Sequence, residues 1–336
     1  MSARTGPRVG MISFAHMHAL SYAGALQTLG VGVAGVYDAD AARGEHMAER
    51  FGTRFFGELD ALLAEDLDGV IVCSENVHHR PHVEAAAGRV RHILCEKPIA
   101  TTAHDAQAMI KACERAGSTL QIAFPVRFAP PVQRLKELLE AGTLGRPISA
   151  KCTNHGRMPG GWFVDRDRAG GGAVIDHTVH VVDVLRWALR TEVTEVYAEV
   201  GRGLLHDTSI DDAGMLSFRL ENGVYGTLDT SWSRPENYPI WGDVTIEILG
   251  ERGIVRVDAF KQTLALTSAP AGKTEWVGWG SDADFGLVRD FVEMIRTGRE
   301  PSITGTDGLR ALEVALAAYR SAEAQRPVSL RAQEAA

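Results

Sequence analysis

The sequence predicts an α/β protein in two parts: a parallel sheet with helices on both faces, then an α+β domain with a mainly antiparallel, open sheet. Over the first third of the chain, short apolar strands alternate with helical patterns, which is typical of a parallel sheet. After about residue 190, strands with alternating apolar and polar residues follow one another, and Glu221-Asn222-Gly223 between two of them is a strong hairpin turn. We place the two domains at residues 1–125 and 126–336.

The strands predicted in the first domain are almost wholly apolar, and helical segments separate them. The strands are predicted at residues 8–14, 31–37, 69–73, 92–95 and 120–124, and the helices at 18–29, 41–51, 79–87 and 102–116. In such sheets, ligands bind at the carboxyl ends of the strands, near the point where the strand order reverses. Polar residues directly after these strands are therefore candidate site residues.

The loop after the first strand is where the phosphates of a dinucleotide would bind. The fingerprint G-x-G-x-x-G is absent, because Ser13, Ala15 and His18 occupy its glycine positions. Two of these side chains are small, and the free N–H groups at the helix start still suit a phosphate. The candidate cofactor residues in this loop are Ser13, Phe14, Ala15, His16, Met17 and His18. Metal binding by His16 and His18 is an alternative, but no third ligand is evident and we expect no metal.

Asp38 lies at the tip of the second strand, about twenty residues beyond this loop, where a carboxylate can accept a hydrogen bond from a ribose hydroxyl. Its negative charge would repel a 2′-phosphate, which favours NAD over NADP unless Arg43 reaches the site. An ordinary Asp in a turn at a strand end is the alternative interpretation.

Two further strand ends carry polar residues that would line the same crevice. They are Ser74, Glu75, Asn76 and His79 after one strand, and Glu96 and Lys97 after the next. A helix-capping loop with Asn76 as the cap is the alternative interpretation of the first group. Pro98 makes the turn after Lys97 rigid, and an ammonium there can bind a substrate hydroxyl or assist its proton transfer.

The stretch from Ala169 to Leu189 contains three glycines followed by an apolar run with helical spacing. Asp176, His180 and Asp183 share one face of this predicted helix. Burying a carboxylate or an imidazole without a partner costs about 2 kcal/mol or more, so Asp176 and His180 resemble a positioned base and its orienting group. The glycines would let a substrate or another backbone approach the helix start. A core histidine with satisfied hydrogen bonds is the alternative interpretation.

Composition argues against several classes of partner and location. The formal net charge of −8 argues against nucleic acid or an anionic membrane as the main partner. No apolar run approaches the roughly 20 residues of a membrane span, and the first residues lack the apolar segment of a signal peptide. The four cysteines show no CxxC pair, so we expect reduced thiols and a cytoplasmic location.

In their order and spacing, these motifs resemble the glucose–fructose oxidoreductase/inositol dehydrogenase/MocA (Gfo/Idh/MocA) family. They are Ser74 to His79, Glu96-Lys97-Pro98, Phe124 to Phe128, Gly170-Gly171-Gly172 with Asp176, His180 and Asp183, Thr297 to Pro301, and Asp307 to Ala311. The resemblance implies a Rossmann-type dinucleotide-binding domain and the oxidation of a sugar, inositol or related polyol hydroxyl by NAD or NADP. By position it makes Lys97 and His180 the catalytic pair, with Asp176 in support. In some relatives the bond corresponding to Lys97–Pro98 is cis.

The sequence departs from the family pattern after Asp176, where an apolar residue and a glycine are usual and His177 and Thr178 stand instead. His177 either adds a polar group to the substrate pocket or points away from it. Hydroxyl partners and an aromatic ring suit a polyol. The candidate substrate-binding residues are Lys97, Arg127, His155, Trp162, Asp176, His177 and His180.

We therefore expect an NAD(P)-dependent dehydrogenase acting on CH–OH groups. His180 would take the hydroxyl proton while the carbinol carbon gives a hydride to nicotinamide, Asp176 would orient His180, and Lys97 would stabilise the developing negative charge. The alternatives are a redox-neutral lyase or hydrolase that uses NAD on the same scaffold, and a non-catalytic nucleotide- or sugar-binding protein. We expect a homodimer or homotetramer formed through the C-terminal sheet.

Overall fold

The computed structural model describes residues 6–261, 263–268, 273–278 and 282–330, and for 263–268 and 273–278 it describes the backbone. The chain divides into two compact units. The first unit contains Met1–Pro125, Asp167–Gly170 and Ala283–Leu309, and the second contains Val126–Arg166, Gly171–Asp282 and Arg310–Ala336. The chain passes between the units several times. The predicted domain boundary stays a prediction.

The first unit is built on a six-stranded sheet in the order β3-β2-β1-β4-β5-β6, with every strand pair parallel. Its strands are β1 (Val9–Ile12), β2 (Val33–Tyr37), β3 (Phe55–Phe56), β4 (Gly69–Val72), β5 (His92–Glu96) and β6 (Thr119–Ala123), and the helices between them are α1 (His18–Thr28), α2 (Ala41–Arg50), α3 (Leu59–Leu63), α4 (His79–Ala86) and α5 (Ala103–Ala116). The strand order reverses between β1 and β4, so their carboxyl ends flank the position where such sheets bind ligands. The predicted parallel sheet is confirmed.

Local sequence signals explain where the elements begin and end. The Thr102 hydroxyl accepts a hydrogen bond from the Asp105 N–H at 3.1 Å and so caps the start of α5. The same helix ends at Gly117, which adopts the left-handed conformation with φ +71°. The short β3 and α3 had no counterpart in the prediction, because two to five residues are too few to show a period.

The second unit contains a seven-stranded sheet in the order β12-β11-β7-β10-β9-β8-β15, in which only the pair of β7 and β10 is parallel. The remaining elements of the chain, in order, are α6 (Pro130–Glu140), β7 (Pro147–Gly156), α7 (Arg166–Ala169), α8 (Ala173–Leu189), β8 (Val193–Arg202), β9 (Asp211–Leu220), β10 (Tyr225–Ser231), β11 (Gly242–Gly250), β12 (Gly253–Asp258), β13 (Thr263–Ser268), β14 (Lys273–Gly278), α9 (Ala283–Thr297), α10 (Gly305–Ala324) and β15 (Val328–Ser329). This sheet confirms the predicted mainly antiparallel architecture. In the part of the chain that the structure describes, no helix has the length of apolar sequence that a membrane crossing needs.

Helix α8 lies on one face of the second sheet, against β7, β9 and β10. It is buried at nearly every position, as its mostly apolar sequence predicts. Two strand glycines allow the close approach: a Cβ on Gly214 would lie 2.5 Å from the Val174 side chain, and a Cβ on Gly156 would lie 3.0 Å from the His177 ring. The same contact shows that Gly156 and the alternate residues of β7 before it face α8.

The start of α8 is fixed by residues that the sequence analysis did not identify. The Asp211 carboxylate accepts hydrogen bonds from the N–H groups of Gly172 and Val174, each at 2.8 Å. The Tyr319 hydroxyl donates to the same carboxylate at 3.0 Å. Because α8 has no side-chain cap of its own, Asp211 satisfies its free N–H groups and complements the positive end of its dipole. The glycines before α8 therefore allow another part of the backbone to approach the helix start. The sequence predicted either this or the approach of a substrate.

We predict that Gly172→Ala lowers the free energy of unfolding by about 2–3 kcal/mol, because a Cβ there would lie 1.9 Å from the Asp211 carbonyl oxygen. Urea unfolding measures the change. Gly24→Ala is the control, since Gly24 lies inside α1 and nothing beyond the helix's own backbone comes within 4 Å of the position that a Cβ would take. The control should raise the stability by up to about 1 kcal/mol. Equal effects of the two substitutions would contradict the prediction.

Candidate active site

The carboxyl ends of four parallel strands bring together the loops that carry the predicted cofactor residues. The His16 N–H donates to the Cys73 carbonyl after β4 at 2.9 Å, and the Phe14 N–H donates to the Asp38 carboxylate after β2 at 2.7 Å. The loop after β1 is therefore hydrogen-bonded to the ends of both neighbouring strands. Its last residue before α1, Met17, is 40% exposed.

Ser13 keeps the backbone conformation that the missing glycine would adopt. Its φ of +69° lies in the left-handed region, which costs a residue with a side chain roughly 1–2 kcal/mol. Local hydrogen bonds hold it there, since its N–H donates to the Tyr37 carbonyl at 2.6 Å and its hydroxyl accepts from the Ala15 N–H at 3.1 Å. Helix α1 begins without a side-chain cap at its N-cap residue. The loop shape and helix start therefore suit a dinucleotide phosphate.

Asp38 is buried, and its carboxylate already accepts several hydrogen bonds. Arg43 forms a two-point ion pair with it, from Nε to Oδ2 at 2.8 Å and from Nη2 to Oδ1 at 2.6 Å. The Asp40 N–H donates to Oδ1 at 3.0 Å. The sequence left open whether Arg43 reaches this site, and in the structure its guanidinium is paired directly with the Asp38 carboxylate. The predicted contact of Asp38 with a ribose hydroxyl stays a prediction.

The loop after β4 presents a buried acceptor beside the reversal of strand order. Asn76 Nδ2 donates to the Ala169 carbonyl at 2.9 Å, whereas Asn76 Oδ1 is buried without a hydrogen-bond partner among the described residues. Such an atom fits the donor of a ligand that the structure does not contain. His79 contacts the carbonyls of Pro98 at 2.9 Å and Ser74 at 3.2 Å, so it links this loop to the end of β5. Glu75 lies 4.0 Å from an Arg168 guanidinium nitrogen.

Glu96, at the end of β5, is a fully buried carboxylate beside two histidines. Its Oε1 lies 3.1 Å from His18 Nδ1 and 3.7 Å from His16 Nδ1, and its Oε2 accepts from the Lys97 N–H at 2.9 Å. Burial raises the pKa of Glu96, but His16, His18 and Lys97 outweigh that effect and lower it. The Lys97–Pro98 bond is cis. Glu96 is a third side chain able to ligate a metal beside His16 and His18, and the sequence analysis did not find it because it lies 78 residues from His18.

Asp176 and His180 lie one turn apart on α8 and are buried to a similar degree, with 9% and 8% of their surface exposed. The Trp232 indole N–H donates to Asp176 Oδ2 at 3.2 Å. Trp232 is fully buried against Ala173 and Ile210. The hydrogen bond therefore fixes the carboxylate from the sheet side. The sequence analysis missed this role of Trp232, since a single Trp after a strand carries no pattern that points to α8.

His177 bridges Asp176 and the sheet. Its Nδ1 lies 2.9 Å from the Asn154 carbonyl, which can only accept, so Nδ1 carries a proton. Its Nε2 lies 3.4 Å from Asp176 Oδ2. With Asp176 ionised, this contact needs a second proton on Nε2 of His177. His177 therefore contacts both Asp176 and the sheet, and whether it also adds a polar group to a substrate pocket stays a prediction.

Asp183, the third residue predicted on this face, pairs with Arg127. The guanidinium donates from Nε at 2.6 Å and from Nη2 at 2.5 Å, and both side chains are buried. Breaking such a pair by removing one partner leaves a buried charge and typically costs 3–5 kcal/mol. This pair therefore anchors the middle of α8. The predicted contact of Arg127 with a substrate stays a prediction.

His155 does not fit the substrate site predicted beside His180. Neighbouring residues of a strand face opposite ways, and Gly156 faces α8, so His155 lies on the other face of the sheet. There its Nδ1 lies 3.0 Å from Asp243 and its Nε2 lies 3.2 Å from Asp229. The predicted substrate contact of His155 is therefore corrected. The sequence could not exclude this contact, because it does not reveal which face of the sheet α8 covers. Trp162 is partly exposed and stacks on Phe163, with ring centroids 3.9 Å apart.

Two family profiles match the chain. An oxidoreductase family with an NAD-binding Rossmann fold matches residues 8–124, and the GFO/IDH/MocA C-terminal domain matches residues 132–256. Myo-inositol 2-dehydrogenase of Thermotoga maritima is 30% identical over an alignment of 281 residues, and the alignment covers 80% of this chain and 82% of the relative. The chain belongs to the Gfo/Idh/MocA family.

Other members of the Gfo/Idh/MocA family extend this comparison. D-xylose 1-dehydrogenase (NADP(+)) 2 of Haloferax volcanii is 31% identical over 329 residues, covering 91% of this chain and 99% of the relative. The crystal structure of GenD2 from gentamicin A biosynthesis in complex with NAD is 26% identical, has a TM-score of 0.88, and covers 99% of this chain and 98% of that one. The resemblance noted from the sequence is confirmed, and the chain is an oxidoreductase.

We predict that His155 gives the Gfo/Idh/MocA chain a pH-dependent stability. Burial lowers the pKa of His155, but Asp229 and Asp243 outweigh it and raise the pKa to about 9, from 6.5. The stabilisation is therefore complete below about pH 6.5 and is lost as the pH rises towards 9. Between pH 6.5 and pH 9, urea unfolding should show that the free energy of unfolding of the wild type falls by about 2 kcal/mol more than that of His155→Gln. A parallel pH dependence of the two proteins would contradict this assignment.

Proposed function

We propose that this protein transfers a hydride between the CH–OH group of a sugar, inositol or related polyol and NAD(P), with His180 as acid/base. The observation that carries the proposal is the buried pair of Asp176 and His180 on α8, in which the carboxylate is held by Trp232. The dehydrogenase names of the relatives support the class of substrate.

In the proposed reaction, His180 accepts the proton of the substrate hydroxyl and returns it in the reverse direction. A bound nicotinamide supplies the electron sink for the hydride. Asp176 favours the protonated imidazole by placing a negative charge one helical turn away. Trp232 and His177 keep the Asp176 carboxylate in one orientation, so that this charge is in place before the proton moves.

Lys97 is proposed as a hydrogen-bond donor to the oxygen that gains negative charge. The residue is 4% exposed, and the hydrogen bond from its own N–H to Glu96 supports a fixed position for its backbone. For substrate recognition we propose Arg127, Trp162 and His177 together with the catalytic residues. A partly exposed Trp ring suits stacking on the apolar face of a sugar.

We propose NAD as the preferred cofactor, held by the loop from Ser13 to His18, by Asp38, and by the loops after β4 and β5. The Asp38–Arg43 pair supports this preference. To bind a 2′-phosphate, Arg43 would have to release a buried carboxylate, which would then repel the phosphate. A ribose hydroxyl requires no such exchange.

We also propose a homodimer or homotetramer formed through the sheet face opposite α8. Large apolar side chains are exposed on the second unit at Met215, Tyr225 and Leu249. Alternate strand positions place these residues away from α8, and a face with such side chains suits contact with a second copy. The location in the cytoplasm stays a prediction.

A panel of sugars, inositols and polyols, each offered with NAD and with NADP, tests the proposed activity. Nicotinamide reduction and sugar products are measured in the same reactions. Net formation of reduced cofactor with one substrate class is the expected result. A sugar product without reduced cofactor would replace the proposal by the redox-neutral lyase or hydrolase.

We predict that His180→Asn lowers kcat on the substrate so found by about 10²–10⁴-fold, because the proton acceptor is lost. The Kd for NADH, measured by fluorescence titration, should change less than twofold. His104→Asn is the control, since the side chain of His104 is 82% exposed. Losses of similar size in kcat and in NADH affinity would count against His180 as the acid/base.

We predict that Asp38→Ser shifts the ratio of Kd values at least about tenfold towards NADPH over NADH, because it frees the Arg43 guanidinium for a 2′-phosphate. Fluorescence titration of both cofactors gives the ratio. The double variant Asp38→Ser/Arg43→Ala should lose the gain. If it keeps the gain, Arg43 is not the phosphate-binding group.

A further inference from the structure

We propose that His16, His18 and Glu96 form a binding site for a divalent transition-metal ion of the zinc class. Each residue offers one ligand atom, and the three atoms lie within 4.8 Å of one another. Among the described residues this is the group of His, Cys, Asp and Glu side chains that comes close enough to hold a metal. The proposal does not depend on the proposed dehydrogenase activity.

The distances from Glu96 to the two histidines are close to those of a tetrahedral site. Two ligand atoms about 2.1 Å from one tetrahedral ion lie roughly 3.4 Å apart. The Glu96 Oε1 atom lies 3.1 Å from His18 Nδ1 and 3.7 Å from His16 Nδ1, on either side of that value. Small movements of the side chains would therefore place all three atoms around one ion.

The carboxylate is already oriented for this role. Glu96 Oε2 accepts the Lys97 N–H at 2.9 Å, so Oε1 remains directed at the two imidazoles. Outer hydrogen bonds of this kind orient metal ligands in proteins. The loop that carries the histidines is fixed in turn, since the His16 N–H donates to the Cys73 carbonyl.

Charge in the cluster favours a cation. Glu96 is fully buried, and a buried carboxylate needs a positive partner. Asp284 adds a second negative charge near His18, whereas the positive charge of Lys97 opposes the two carboxylates.

The Nδ1 atoms of the two histidines now make hydrogen bonds within the protein. The His18 N–H donates to His16 Nδ1 at 3.2 Å, and Tyr22 Oη lies 3.3 Å from His18 Nδ1. A bound ion would take the place of the His18 N–H at His16 Nδ1, and it would displace a proton from the His18 ring.

The donor set indicates the kind of ion. Two imidazoles and one carboxylate are ligands that Zn²⁺ and neighbouring divalent metals prefer. Three protein ligands also leave a coordination position open, as in zinc sites that bind a further small molecule. From the sequence alone, two histidines and no third ligand could be identified in the loop after β1. For this reason no metal was expected in that loop.

The test uses the full chain without a histidine tag. Isothermal titration with ZnCl₂ should give one site with a Kd of about 1 µM or tighter, and Co²⁺ should give the absorption bands of tetrahedral coordination. His16→Asn, His18→Asn and Glu96→Gln should each weaken Zn²⁺ binding at least about 100-fold. His78→Asn is the matched control, because it removes an exposed imidazole outside the cluster and should leave the Kd unchanged.

Absence of Zn²⁺ binding up to about 100 µM would overturn the proposal, and so would binding that survives all three cluster substitutions. Because Glu96→Gln alters a buried group, circular dichroism first establishes that each variant is folded. His18→Asn carries the test if the other two variants do not fold, since the His18 side chain is 27% exposed and its replacement spares the core.

Discussion

An ionised side chain cannot remain in a protein core without a partner, and α8 is the helix on which this constraint acts most strongly. It is covered on nearly every side, yet it carries two carboxylates, two imidazoles and a guanidinium. Each partner comes from a different connecting segment: Arg127 for Asp183, Trp232 for Asp176, and Glu192 for Arg186. The polar residues of α8 therefore fix the rotation of the helix about its axis and its position along that axis. The apolar residues alone would define both less well.

The same constraint organises the carboxyl edge of the parallel sheet. Asp38 after β2 and Glu96 at the end of β5 are buried carboxylates, and each contacts hydrogen-bond donors or cationic groups of neighbouring residues. Both residues therefore hold the loop between β1 and α1, one from each side. A loop without its usual glycines is kept in shape by side chains that would otherwise be free for a ligand. This supporting role of the side chains explains why the edge is so polar.

The fold could be predicted because each sheet leaves a periodic signal: apolar runs in the parallel sheet and alternation in the antiparallel one. The shared face of Asp176, His180 and Asp183 followed from helical spacing. What failed were relations across the chain. Which face His155 occupies depends on the side that α8 covers, and the role of Glu96 as a third ligand depends on strand order. The Asp211 cap also joins distant segments, and no local pattern announces it.

Ser13 separates the shape of a nucleotide-binding turn from its composition. The residue holds a left-handed backbone through its own hydroxyl and N–H, so the turn persists where a glycine is absent. A search of sequences for the glycine pattern passes over such a chain, whereas a comparison of backbone angles retains it. Relatives that lack the pattern can thus be recognised from their backbone torsion angles. Glycine is the residue that could replace Ser13 and still adopt this torsion angle without the support of a hydroxyl.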